Sequence, residues 1–214
     1  QKYTIGDFFV ENLLSDIETH QIAVPEMQRP FVWSSIKVRD LIDSLYNEYP
    51  VGYIITWKNP DAKTKDGKLA NGRKVLIDGQ QRVTALSAAI KGIPVVDRDY
   101  KTKRIIIAYN PLTEEFATQT PAILKDSTWL PDISAFLDSN DFVATFNKYR
   151  ADNPEANYDT VQTNLQKLLS IKKKQIGHIE LQEHLDIDTV TEIFIRINSS
   201  GVVLSQADFV MSKI

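Results

Sequence analysis

One short segment of the chain combines residue types that could bind a phosphate group and assist its transfer. A run typical of a buried strand, Lys74 to Ile77, is followed at once by Asp78-Gly79-Gln80-Gln81-Arg82. The pattern from Gln80 to Lys91 is helical and ends at Gly92, a residue that favours helix termination. The sequence therefore predicts a strand, a tight turn at Asp78-Gly79 and a helix.

Each residue of this corner has a chemical role that it could fill. Gly79 would let a ligand approach the backbone, and the free N–H groups at the start of the helix would face phosphate oxygens. Asp78 could hold Mg²⁺ or orient a water molecule. Gln80 and Gln81 could bond phosphate oxygens or that water, and Arg82 could bind phosphate through two hydrogen bonds. The spacing alone is equally compatible with a capped helix whose arginine pairs with a surface carboxylate.

Two further segments could contribute to an anion site. Gln28-Arg29 lies between Pro25 and Pro30, just before Phe31 and Trp33, and such a bracketed loop can hold an arginine rigidly. The alternative is an edge loop that its aromatic residues merely anchor.

The other segment is Arg196-Ile197-Asn198-Ser199-Ser200-Gly201. The short side chains of Asn198 and Ser199 and the exposed backbone would suit a ligand beside Arg196. The same residues would equally make an ordinary helix end.

Composition excludes several other classes of chemistry. The chain has no cysteine, so disulfides, thiolate metal sites and cysteine nucleophiles are absent, which fits the cytoplasm. There is no G-x-x-x-x-G-K-[ST] loop, and the three histidines lack the spacing of a zinc-binding motif, so we interpret them as structural or solvated. The apolar runs are strand-sized, so no membrane span is expected. With a net charge of −3, any contact with nucleic acid must be local.

The elements around these motifs predict an α+β fold, because strands alternate irregularly with helices of unequal length. We expect a first helix capped by Thr4, a strand over Ile22 to Val24, a polar loop over 58–73 and a final helix begun by Ser205 and Asp208. The other expected elements are a helix capped by Ser34 or Ser35, strands at Tyr53 to Trp57, Arg104 to Tyr109 and Ile176 to Leu181, helical segments at Phe136 to Tyr149 and Tyr158 to Leu169, and a helix from Asp188 to Ile197.

Three motifs in this order make the chain resemble one protein family. The motifs are Val24-Pro25-Glu26-Met27-Gln28-Arg29-Pro30-Phe31-Val32-Trp33, Asp78-Gly79-Gln80-Gln81-Arg82, and Phe194-Ile195-Arg196-Ile197-Asn198-Ser199-Ser200-Gly201 with Leu204-Ser205. The chain resembles the N-terminal domain of GmrSD-type, modification-dependent (type IV) restriction proteins, whose core is similar to ParB and sulfiredoxin. The resemblance implies a ParB/sulfiredoxin-like mixed core over residues 1–125, a helical insertion over 126–175, a returning strand and helix over 176–214, and truncation before a C-terminal domain.

The resemblance also implies a function in bacterial defence against phage. It implies Mg²⁺-dependent binding and hydrolysis of nucleoside triphosphates, coupled to recognition of modified DNA, with cutting by a separate C-terminal nuclease domain or partner of His-Asn-His type. The implied catalytic residues are Asp78, Gln81 and Arg82, with Asp78 as the metal ligand. The implied phosphate-binding residues are Gln28, Arg29, Gly79, Gln80, Arg196, Asn198 and Ser199. Sulfiredoxin chemistry itself is excluded because it requires a cysteine.

Three alternatives remain open at this stage. The domain could sense DNA or nucleotide without hydrolysing it, could be a ParB-like nuclease, or could be a structural partner in which the motifs support only the fold.

Overall fold

The computed structural model describes residues 1–24, 30–58, 74–139 and 141–198. Its strands are β1 (Tyr3–Phe9), β2 (Ile22–Ala23), β3 (Tyr53–Lys58), β4 (Lys74–Asp78), β5 (Val95–Val96), β6 (Thr102–Lys103), β7 (Ile107–Asn110), β8 (Glu115–Thr118) and β9 (Gln175–Leu181). Its α-helices are α1 (Val10–Glu18), α2 (Ser35–Tyr46), α3 (Gln80–Lys91), α4 (Pro121–Leu124), α5 (Ile133–Ser139), α6 (Phe142–Asp152), α7 (Tyr158–Leu169) and α8 (Ile187–Ile197), and a 3-10 helix spans Ser170–Lys173. The predicted α+β class is confirmed.

The chain forms two compact units. The first contains the described residues of 1–29, 52–80 and 175–214 and is built on a five-stranded sheet with the order β1-β9-β3-β4-β2. Strand β9 is antiparallel to β1 and parallel to β3, while β4 is antiparallel to β3 and parallel to β2. The sheet is therefore mixed, and its central strands come from distant parts of the chain.

Helix α8 covers one face of this sheet. Alternate residues of the strands point to that face, as the twofold repeat of an extended chain requires. The buried cluster between sheet and helix consists of Ala23, Ile55, Trp57, Val75, Ile77, Leu181, Leu185, Val190 and Phe194. This cluster fixes the position of β4, and therefore of the turn that follows it.

The second unit contains the described residues of 30–51 and 81–174. It combines helices α2 to α7 with two antiparallel hairpins, β5–β6 and β7–β8. The buried hydroxyls of Tyr46 and Tyr109 lie 2.5 Å apart, and Tyr46 donates to Glu114 Oε1 at 2.7 Å. Burial raises the pKa of both tyrosines, so both hydroxyls stay protonated and can donate.

The prediction of a helix from Thr4 is wrong. Residues Tyr3–Phe9 form the edge strand β1, and α1 begins only at Val10. All seven residues of β1 pair with β9, which provides hydrogen-bond partners along one edge of β1. The ring centroids of Phe8 and His178 lie 4.3 Å apart. These tertiary contacts outweigh the helical spacing of the apolar residues.

Two boundaries also differ from the sequence prediction. Helix α8 begins after Asp186, whose side chain accepts from Thr189 N at 2.8 Å, so Asp186 caps the helix in place of Asp188. The strand expected from Arg104 begins at Ile107 and pairs with β8, which the pattern did not indicate.

The other strands and helices expected within the described residues are present, with small shifts at their ends. The loop predicted over 58–73, beyond its first residue, and the helix predicted from Ser205 lie outside the described residues. The predicted three-part division at 125 and 175, and the similarity to ParB and sulfiredoxin, stay predictions. No described helix is both long and apolar enough to cross a membrane.

Candidate functional site

The turn between β4 and α3 requires a glycine. Gly79 has a φ of +95°, a conformation that residues with a side chain rarely adopt. A Cβ at this position would lie 2.7 Å from Cγ2 of Ile54 and 3.2 Å from its Cβ. Ile54 is fully buried and cannot move away easily. The predicted Asp78-Gly79 turn is therefore confirmed, and it is held by close packing as well as by backbone conformation.

Asp78 is the last residue of β4, beside an irregularity in the sheet. Its Cα is opposite Ile55, and the register between β3 and β4 shifts between Ile55 and Thr56. Because Val75 and Ile77 point into the cluster under α8, the alternation of the strand directs Asp78 to the other face. The residue is only partly buried, so its carboxylate can meet a ligand.

Helix α3 begins at Gln80, directly after the glycine, and has no acidic residue in its first turn. Its buried face consists of Val83, Ala85, Leu86, Ala88, Ala89 and Ile90. Arg82 is partly buried in that first turn, and its Nε is shielded from solvent. The first N–H groups of an α-helix have no partner within the helix, and here a positive side chain lies beside them, an arrangement that favours an anion.

Gln81 has a role that sequence reasoning missed. Its Oε1 accepts from the backbone N–H of Val32 at 2.9 Å, and its Nε2 donates to the carbonyl of Pro30 at 3.2 Å. Both groups of the side-chain amide therefore hold the segment that begins at Pro30. This geometry favours a positioning role for Gln81, whereas its predicted role in orienting water stays a prediction.

Arg196 and Asn198 have structural contacts at the end of α8. The side chain of Arg196 is 78% exposed and pairs with Glu192 one turn earlier, at 2.7 Å. The amide of Asn198 donates to the carbonyl of Phe194 at 3.0 Å and so ends the helix. Within the described part of the chain, neither side chain hydrogen-bonds to Asp78 or Gly79.

Three other predicted ligand-binding residues, Gln28, Arg29 and Ser199, lie outside the described residues. Gln80 lies at the start of α3, where its side chain is partly exposed.

Asp78 is the carboxylate of this corner that suits a hard cation. Within residues 1–24, 30–58, 74–139 and 141–198, no group of three or more histidine, aspartate or glutamate side chains is arranged to hold a metal ion. Mg²⁺ commonly binds through one or two carboxylates together with the phosphates of a nucleotide. A single carboxylate such as that of Asp78 is compatible with this mode of binding, and the role of Asp78 as a metal ligand stays a prediction.

The sheet face opposite α8 contains a buried polar cluster that the sequence analysis did not identify. Glu180, only 9% exposed, pairs with Lys74 at 2.6 Å and with Lys58 at 3.1 Å. Burial opposes ionisation of Glu180, but the two lysines outweigh it and hold the pKa of the carboxyl below its usual range. Nε2 of His178 lies 2.6 Å from the hydroxyl of Thr56. The signal in the sequence was the alternation of His178 and Glu180 with apolar residues of β9.

Comparison with known proteins places this architecture in a family. No curated protein matches the chain. The family model described as "GmrSD restriction endonuclease, N-terminal domain" matches residues 10–214, nearly the whole sequence. The resemblance inferred from the three sequence motifs is thereby confirmed at the level of the family. The chain belongs to the family of GmrSD restriction endonuclease N-terminal domains.

Proposed function

We propose that this domain binds Mg²⁺–nucleoside triphosphates and hydrolyses them, as the regulatory part of a modification-dependent restriction protein that defends against phage. The observation that carries the proposal is the corner between β4 and α3. Three features follow one another there within five residues. They are the carboxylate of Asp78, the turn at Gly79 with φ +95°, and the first turn of α3, which contains Arg82 and no acidic residue. A carboxylate suits the metal of the substrate, and the other two features suit its phosphates.

The reaction assigns different tasks to these residues. Water attacks the terminal phosphorus and loses a proton to the solvent, the bond from that phosphorus to the bridging oxygen breaks, and the nucleoside diphosphate leaves with the bond's electron pair. Arg82 and the helix N–H groups neutralise charge on the phosphoryl oxygens, while Asp78 binds the metal of the substrate or orients the water. Gln81 positions the segment at Pro30 through its two hydrogen bonds.

Hydrolysis serves regulation in this proposal. A domain that has different affinities for triphosphate and diphosphate can shift its partner between two states. The partner that we propose is a His-Asn-His nuclease, in the full-length protein or in a second chain, which cuts modified DNA. Membership in a restriction endonuclease family supports this coupling.

The test is phosphate release from the four common nucleoside triphosphates in the presence of Mg²⁺. We expect Arg82→Ala to reduce the rate by about 10³-fold or more, as the loss of a phosphate-neutralising arginine does elsewhere. Arg82→Lys keeps the charge but loses the two-pronged geometry, so its rate should lie in between. The control is Arg98→Ala, at an exposed arginine in a turn of the second unit.

Thermal unfolding separates a catalytic loss from misfolding, because a misfolded variant melts earlier or without cooperativity. An Arg82→Ala protein that hydrolyses every triphosphate as fast as the parent would refute the role of Arg82. A parent protein that binds triphosphates without releasing phosphate would refute hydrolysis. Plasmid nicking by this chain alone would refute the separation from the nuclease.

A further inference from the structure

The segment from Pro30 to Ser34 is held on several sides. Phe31 is buried, and its N–H donates to the carbonyl of Val96 at 2.9 Å. The next residue, Val32, donates to Gln81 at 2.9 Å. Ser34 caps α2 by accepting from the N–H of Lys37 at 3.1 Å. The residues on both sides of Trp33 are thus held by hydrogen bonds.

Trp33 itself is only partly buried and has few partners. Within the described part of the chain, its indole N–H has no hydrogen-bond acceptor, and the ammonium of Lys37 lies over the ring, 4.4 Å from its centroid. Lys37 has no carboxylate within ion-pair distance among the same residues. The flanking side chains of Val32 and Ile36 are 45% and 56% exposed. Trp33 therefore has exposed apolar neighbours in the sequence, and a cation lies over one face of its ring.

We propose that Trp33 stacks against the base of the bound nucleotide. This inference rests on the proposed function. It concerns the base of the nucleotide, whereas the corner between β4 and α3 binds the phosphates. The amide of Gln81 joins the segment carrying Trp33 to the first turn of α3, which carries Arg82. The face of the indole opposite Lys37 offers a π surface that accepts any base and discriminates little between bases by hydrogen bonding. The site therefore accepts several nucleotides and favours purines, which have the larger stacking area.

Two ligands distinguish binding of the base from binding of the phosphates. They are a non-hydrolysable ATP analogue and inorganic tripolyphosphate, each with Mg²⁺. Calorimetry gives the dissociation constant of each for the parent and for Trp33→Leu. We expect Trp33→Leu to weaken binding of the ATP analogue by about tenfold or more and to leave tripolyphosphate binding unchanged. Trp33→Phe retains a ring and should recover most of the affinity. The control is Trp129→Leu, at a tryptophan that is also partly buried in the second unit.

The outcomes distinguish this inference from the function on which it rests. If Trp33→Leu binds both ligands as the parent does, the stacking role is refuted and the phosphate corner stands. If both affinities fall together, Trp33 supports the fold of the corner and the stacking role is again refuted. If the parent binds neither ligand, the proposed function fails and the inference fails with it.

Discussion

Replacing Gly79 by alanine tests whether the turn between β4 and α3 is built as described. Two costs add at this position. A residue with a Cβ loses about 1–2 kcal/mol in a left-handed backbone conformation. The new methyl group would also lie 2.7 Å from Cγ2 of Ile54, and overpacking of this kind costs about 1–3 kcal/mol. Together they predict that the free energy of unfolding falls by about 2–5 kcal/mol, a large part of the stability of a small protein.

The assay is urea unfolding followed by circular dichroism, with Gly6→Ala as the matched control. Gly6 lies in β1, and a Cβ there would meet nothing within 4 Å, so this variant should unfold within about 0.5 kcal/mol of the parent. A double-mutant cycle with Ile54→Ala separates the two costs, because that substitution removes Cγ2. In this background the 2.7 Å contact is gone and a contact of 3.2 Å with Cβ remains, so Gly79→Ala should cost less than in the parent, mainly the backbone cost of about 1–2 kcal/mol. A Gly79→Ala protein as stable as Gly6→Ala would contradict both the turn and the packing.

Three further predictions concern the side chains of His178, Glu180 and Gln81. Burial, assisted by the charge of Lys74, lowers the pKa of His178 from 6.5 to about 4, so protonation favours the unfolded chain. The free energy of unfolding should therefore fall by about 3 kcal/mol as the pH drops from above 6.5 to 4. Measured by urea unfolding, it should depend less on pH in His178→Leu than in the parent. Glu180→Gln leaves two lysines without their carboxylate and should cost about 1–3 kcal/mol in thermal unfolding, more than Lys58→Gln, whose side chain is 43% exposed. Gln81→Leu should lower the free energy of unfolding by about 1–2 kcal/mol and speed proteolysis near Pro30, because it removes both hydrogen bonds to this segment. Equal rates of digestion of Gln81→Leu and Gln80→Leu would contradict this role of Gln81.

The motif at the turn was predictable because its signals are local. A β-branched run, an aspartate-glycine pair and a helical pattern ending in glycine each depend on neighbouring residues, and the structure has β4, Gly79 and α3 where they indicate. The helix α2, with Ser34 as its cap, was predictable for the same reason.

Long-range pairing made other parts unpredictable. The first nine residues have apolar side chains at helical spacing, yet β9, more than 160 residues away, makes Tyr3–Phe9 a strand. The ties of Gln81 to Pro30 and Val32 span about 50 residues and leave no trace in local spacing. Likewise, Glu180 meets Lys58 and Lys74 only because β3 lies beside both β4 and β9. Contacts between strands distant in sequence are the information that periodicity does not contain.

The place of β9 between β1 and β3 has a consequence for synthesis on the ribosome. Strand β1 is made more than 160 residues before β9, its hydrogen-bonding neighbour, which begins at Gln175. Until the chain has left the exit tunnel as far as about Leu181, β1 and β3 lack β9, the strand that lies between them. Completion of this sheet therefore waits for the synthesis of β9, and protease protection of ribosome-bound chains of increasing length would detect it as a single rise beyond that point.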